Sequence, residues 1–100
     1  MGNIRLTEEE INYIREIAKD VFGEDVKVWI FGSRVNPNLK GGDIDLYIET
    51  ANIENLIDKK LTFLVKLKDR IGEQKIDLII KPLECNEPIC KEIKKSGVEL

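Results

Sequence analysis

The stretch GSRVNPNLKGGDIDLYI, Gly32 to Ile48, sets Asp43 and Asp45 one residue apart inside what otherwise reads as a β-strand. Aspartate is depleted in strands, and two carboxylates on one strand face repel each other unless a cation lies between them. Strand side chains alternate, so Asp43, Asp45 and Tyr47 share one face while Ile44, Leu46 and Ile48 share the other. The apolar face suits a core beneath helices and aims the carboxylates away from it. Asp77, in KIDLII, is flanked in the same way by Ile76 and Leu78. If the two strands are neighbours, Asp43, Asp45 and Asp77 converge on one patch, a hard-oxygen set that suits one or two Mg²⁺ ions.

The residues just before the aspartates supply a complementary part. After an apolar strand ending at Phe31, Gly32 lets the backbone approach a ligand closely. Ser33 offers a hydroxyl and an N–H near a candidate helix start, where anions bind well. Arg34 and Lys40 add positive charge. A phosphate cradle and metal-binding carboxylates facing one ligand suggest a nucleoside triphosphate carried on Mg²⁺.

Working outward, Thr7-Glu8-Glu9-Glu10 is a capping box, followed by Ile11, Ile14, Ile17, Ala18 and Val21 at helical spacing and a stop at Gly23. Val26 to Phe31 reads as the first strand, with Trp29 and Phe31 as core residues, and Asp43 to Glu49 as the second. A second helix spans about Ile53 to Ile71, and Lys75 to Ile80 is a third strand. Pro88 opens a short helix that ends near Gly97. The order αββαβα predicts an α/β (α+β) domain occupying residues 1–100. Tyr47 fits a core position, a base-stacking surface or an exposed site. The second helix carries apolar residues beyond one narrow stripe, including Phe63 and Val65, so it or the segment after Pro82 is a candidate partner surface.

Composition narrows the chemistry. The 100 residues carry a formal net charge of -3, which argues against direct nucleic-acid binding through a basic stripe. Lys59, Lys60, Lys66 and Lys68 read as a solvated helix face, with a partner or phosphate surface as the sharper option. The absence of histidine removes every Ser-His or Cys-His nucleophile and leaves carboxylates, metal ions and lysines as tools. No apolar run approaches the roughly 20 residues of a membrane span, and no signal-peptide pattern opens the chain. A cytoplasmic setting follows, in which Cys85 and Cys90 are expected as two reduced, partly buried thiols. Two cysteines without histidine fall short of the usual four zinc ligands.

The segment FGSRVNPNLKGGDIDLYIE resembles the signature of the DNA polymerase β-like nucleotidyltransferase superfamily, in which Gly-Ser is followed by about ten residues and then Asp-x-Asp. The chain as a whole resembles its smallest branch, the minimal nucleotidyltransferases, whose fold is a small mixed β-sheet flanked by helices. By that resemblance Gly32, Ser33 and Arg34 form the nucleotide and phosphate site, with Ser33 on the β- and γ-phosphates. Asp43, Asp45 and Asp77 are the catalytic, metal-binding carboxylates, and Asp77 also helps to deprotonate the attacking hydroxyl. The spacer Arg34 to Gly42 is nine residues, one fewer than the pattern, and Gly42 stands where a serine often precedes the first aspartate.

The resemblance implies transfer of a nucleoside monophosphate, AMP from ATP or its counterpart from another triphosphate, with two Mg²⁺ ions or Mn²⁺ in their place. It also implies a helical HEPN-type protein partner, a hetero-oligomer, and an MntA-type antitoxin role in which a hydroxyl of the partner accepts AMP. Two other readings stand beside it: a non-catalytic antitoxin that neutralises its partner by contact, and a nucleotide- or metal-binding sensor module.

Overall fold

A computed structural model describes residues 6–32, 44–72 and 74–100. Its elements are α1 (Glu8–Phe22), β1 (Lys27–Phe31), β2 (Ile44–Thr50), α2 (Leu56–Ile71), β3 (Ile76–Pro82), α3 (Pro88–Ser96) and β4 (Val98–Glu99). The strands form one mixed sheet in the order β3-β2-β1-β4. β1 runs antiparallel to β2 and β4, whereas β2 and β3 are parallel. Parallel neighbours need a crossover, which α2 supplies. This is the mixed α+β minimal nucleotidyltransferase fold that the sequence predicts. Among the described residues no helix is long and apolar enough to cross a membrane.

Local chemistry accounts for the helix ends. The Thr7 hydroxyl accepts from the Glu10 N–H while the Glu10 carboxylate accepts from the Thr7 N–H, so the capping box forms as its spacing predicts. α2 starts at Leu56, three residues after the expected Ile53, because Asn55 adopts a left-handed conformation with φ 53°. The Thr50 hydroxyl accepts from the Asn52 N–H, which bends the chain at Ala51 as it leaves β2. β4 is an addition to the predicted order. Two residues are too short for a strand pattern, and Gly97 is legible only as a helix stop. A Cβ at Gly97 would lie 2.8 Å from the carbonyl oxygens of both Ile30 and Ile93, so only glycine lets the chain turn back onto β1 here.

One sheet face is covered by α1 and α2. Ile44, Leu46 and Ile48 of β2 pack there with Ile30, Phe22 and Phe63, and the two phenyl rings stand 5.8 Å apart. Phe63, expected beyond the core stripe, is fully buried, while Val65 is exposed as expected.

The other face carries a smaller cluster of Trp29, Tyr47, Cys85, Cys90 and Ile93 beneath α3. Phe31 is only partly buried at its margin. Tyr47 is a core residue with no exposed surface, packed 5.5 Å from Trp29. Cys85 and Cys90 correct the expectation of free thiols: they are joined in a disulfide with Cα atoms 5.9 Å apart. The turn after β3 and the first turn of α3 bring them within bridging distance, which their spacing alone does not reveal.

A buried charge anchors α3 to the sheet. Glu49, 1% exposed, accepts from the Tyr47 hydroxyl at 2.6 Å and from the Glu84 N–H at 3.1 Å, and pairs with Lys94 Nζ at 2.6 Å. Lys94 also donates to the Cys85 carbonyl at 3.0 Å. Burial pushes the Glu49 carboxyl up, but the bonds from Lys94, Tyr47 and the Glu84 N–H outweigh it and hold the group below its ordinary value of 4.5. Burial and the Glu49 carboxylate together push the Tyr47 phenol far above its ordinary range.

Because the folded carboxyl is depressed, its contribution is present above the unfolded value of 4.5 and is lost as pH falls through the lower folded value. Urea unfolding between pH 7 and pH 3 is expected to show that acid loss in the parent and a flatter profile in Glu49→Gln. Lys94→Met, which leaves the carboxylate buried without its cation, is expected to cost about 3 kcal/mol at neutral pH.

Candidate active site

β1 ends where β2 and β3 begin, and the candidate residues gather at that end of the sheet. Asp45 and Asp77 are each the second residue of their strand and are direct register partners in the parallel pair. Adjacent strands lie about 4.8 Å apart, so the two side chains leave the sheet side by side. Their neighbours fix the direction: Ile44, Leu46, Ile76 and Leu78 all sink into the α1/α2 core, which turns both carboxylates to the opposite face. Asp45 is half-buried and Asp77 is exposed.

The strands also set the surroundings. Phe31 pairs with Asp45 across the antiparallel ladder, and Gly32 follows it with φ 76°, in the left-handed region that favours glycine. A Cβ placed on Gly32 would overlap the Asp45 carboxylate, so the bare backbone here is what leaves room for that group. One layer along the sheet, Tyr47 and Ile79 are the next register partners and lie in the α3 cluster. The two aspartates therefore stand on the sheet face beside an apolar layer, at the end where β2 and β3 begin. Two side-by-side carboxylates on hydrogen-bonded strands are a hard-oxygen donor set of the kind that suits a divalent cation.

The sequence-predicted residues divide accordingly. Asp45 and Asp77 are brought together, and Gly32 lies against Asp45. Ser33, Arg34 and Asp43, with Lys40, lie outside the described residues. Among the described residues a further trio, Cys85, Glu87 and Cys90, comes close enough to share a metal ion, but its two cysteines are bonded to each other. A groove of about 460 Å³ lined by Tyr13, Glu16, Ile17, Asp20 and Arg70 is built by α1 and α2, which cover the opposite face from the aspartates. Glu49 and Lys94 escape a sequence reading, because Glu49 looks like the polar end of a strand and its partner lies on a helix far along the chain.

Gly32→Ala is expected to cost more than the roughly 1 to 2 kcal/mol of a left-handed non-glycine residue, because the new methyl also displaces Asp45. In an Asp45→Ala background the cost is expected to shrink to the backbone part alone. Chemical denaturation of the four proteins of this cycle measures the difference.

Comparison with known proteins gives an independent answer. Among curated proteins, no relative matches the chain. The family model described as Polymerase beta, Nucleotidyltransferase matches residues 10–100, from the first turn of α1 to the end of the chain. The match takes in every strand of the sheet and both aspartates of the register pair, and so the chain belongs to the DNA polymerase β-like nucleotidyltransferases, as a minimal member of that family.

Proposed function

We propose that this chain is a Mg²⁺-dependent nucleotidyltransferase that moves AMP from ATP to a hydroxyl of a helical HEPN-type partner protein, as the antitoxin of a cytoplasmic toxin-antitoxin pair. The observation that carries the reading is the register pairing of Asp45 with Asp77 beside Gly32. In this reading Asp45, Asp77 and Asp43 hold the metal, with Mn²⁺ as a substitute, and Ser33 and Arg34 bind phosphate oxygens next to Gly32. Bound there, Mg²⁺ neutralises charge that builds on the phosphates during transfer.

The chain's own residues do the rest. Asp77, the more exposed of the described pair, accepts the proton of the incoming hydroxyl. The acceptor oxygen bonds to the α-phosphorus while the bond from that phosphorus to the bridging oxygen breaks, and pyrophosphate leaves. Gly32 keeps a side chain out of the space that the triphosphate and Asp45 share.

In this reading the acceptor hydroxyl belongs to the partner, which has to dock on the domain. The exposed stripe of Ile57, Leu61 and Val65 on α2 supports this part of the reading: these residues repeat every fourth position and are 76%, 57% and 69% exposed. That stripe is the surface we assign to the partner. It also serves the second reading, neutralisation by contact alone, because it lies on the helix layer opposite the aspartates.

Purified chain, labelled ATP, Mg²⁺ and the product of the neighbouring gene are to be incubated together and the partner weighed by mass spectrometry. A gain of one or more AMP units is expected. Asp45→Asn is expected to reduce transfer by several orders of magnitude, and Asp77→Asn to spare nucleotide binding while abolishing transfer. Mg²⁺ is expected to raise the Tm of the parent but not of Asp45→Asn. Toxin neutralised without any AMP gain would favour contact alone.

Leu61→Glu tests the surface separately. Partner capture is expected to fall at least tenfold, with monomer stability changed by less than about 0.5 kcal/mol because the position is exposed. Unchanged capture would clear α2 of the role.

A further inference from the structure

The Cys85–Cys90 bridge sits where a covalent bond has mechanical leverage. α3 buries only Cys90 and Ile93 among its nine residues, so the bridge accounts for half of its buried side chains. Beneath α3 lie Trp29 and Tyr47, and Tyr47 shares its strand face with Asp45 two residues away. We infer that this bridge is a reversible thiol–disulfide switch that sets how firmly α3 is clamped on the sheet face carrying Asp45 and Asp77. The inference does not depend on nucleotidyl transfer, because its readout is α3 itself.

Three features set the pair apart from a structural staple. The bridge closes a sequence separation of only five, so it constrains the unfolded chain little. The larger core between the sheet, α1 and α2 contains neither cysteine and is built to survive its opening. Non-covalent links also hold both halves of the bridge in place. Glu84, next to Cys85, donates its N–H to Glu49, and Lys94 on α3 donates to the Cys85 carbonyl while pairing with Glu49. After reduction the two thiols stay near each other, ready to close again.

The geometry also assigns the two sulfurs different parts. Cys85 is 7% exposed and Cys90 is fully buried, so an incoming thiolate reaches Cys85 first. Cys90 is the third residue of α3, in the first turn, where free backbone N–H groups stabilise a departing thiolate. A small-molecule thiolate attacks the Cys85 sulfur, forming a mixed disulfide as the Cys85–Cys90 bond breaks and Cys90 leaves as thiolate. A second small thiolate attacks the mixed disulfide at the small molecule's sulfur, releasing Cys85 as thiolate. The net change is a protein disulfide reduced to two thiols and two small thiols oxidised to one small disulfide. Running the steps backward with a small disulfide as oxidant closes the bridge.

The test is to equilibrate the intact chain in glutathione buffers of graded redox state, counting free thiols and following amide hydrogen exchange. We expect two thiols to appear together without denaturant, exchange of the hydrogen-bonded α3 amides from Lys91 to Ser96 to quicken at least tenfold, and β1 to β3 to keep their protection. Emission from Trp29, the chain's one tryptophan, should change over the same range and revert on reoxidation. With oxidised glutathione, Cys90→Ala is expected to form the mixed disulfide at Cys85 at least tenfold faster than Cys85→Ala forms it at Cys90. A bridge that opens only in urea, thiols that never pair under oxidising buffer, equal exchange of α3 in both states, or loss of protection throughout the sheet would each overturn the switch. Equal labelling of the two single variants would overturn the assignment of the attacked sulfur.

Discussion

The parallel, in-register pairing of β2 with β3 is the constraint on which the site depends. A shift of one residue would send Asp77 into the apolar core and bring Ile76 or Leu78 beside Asp45. The register is fixed by the other face, where Ile44, Leu46, Ile76 and Leu78 must all reach the layer under α1 and α2. Hydrophobic burial on one side of the sheet thus determines the spacing of two charges on the other. The carboxylates follow from that choice and do not set it.

The two faces of the sheet are built by different physics. The α1/α2 face is an apolar core in which almost every contact is between hydrocarbon surfaces, tolerant of small adjustments in rotamer. The α3 face is small and held by directional bonds: a buried carboxylate with three donors, a lysine shared between that carboxylate and a carbonyl, and a disulfide. Such a patch does not shift gradually. Its ionic links hold α3 on the sheet independently of the bridge, because leaving Glu49 charged and unpartnered in the interior is costly.

Much of this was legible in the chain itself, for reasons that differ by element. The alternation of Ile44, Leu46 and Ile48 with Asp45 and Tyr47 shows which side of β2 is core, and the capping box marks the start of α1. Asp77 could be matched to Asp45 because its flanking residues repeat the same alternation. Helical spacing places the start of α2 at Ile53, whereas Asn55 turns the backbone left-handed and delays it to Leu56. The Glu49–Lys94 pair and the disulfide stayed hidden because each joins residues whose proximity arises only when α3 folds back over the sheet. Phe63 and Val65 look alike in sequence, and only the direction in which α2 rests on the sheet sends one inward and the other to the surface.

The strand order has a kinetic consequence. β1 and β2 are antiparallel neighbours, so their ladder can form from one short stretch of chain, whereas β3 joins β2 only after the whole of α2 has crossed the sheet. Of the two connections, the one through α2 carries the larger loop entropy, though the cost grows only slowly with length. Asp45 takes its place opposite Phe31 in the β1–β2 ladder, and the carboxylate pair exists only once β3 lies beside β2. A ligand that needs both carboxylates therefore binds only chains in which β3 is docked on β2, and its binding favours that docked state.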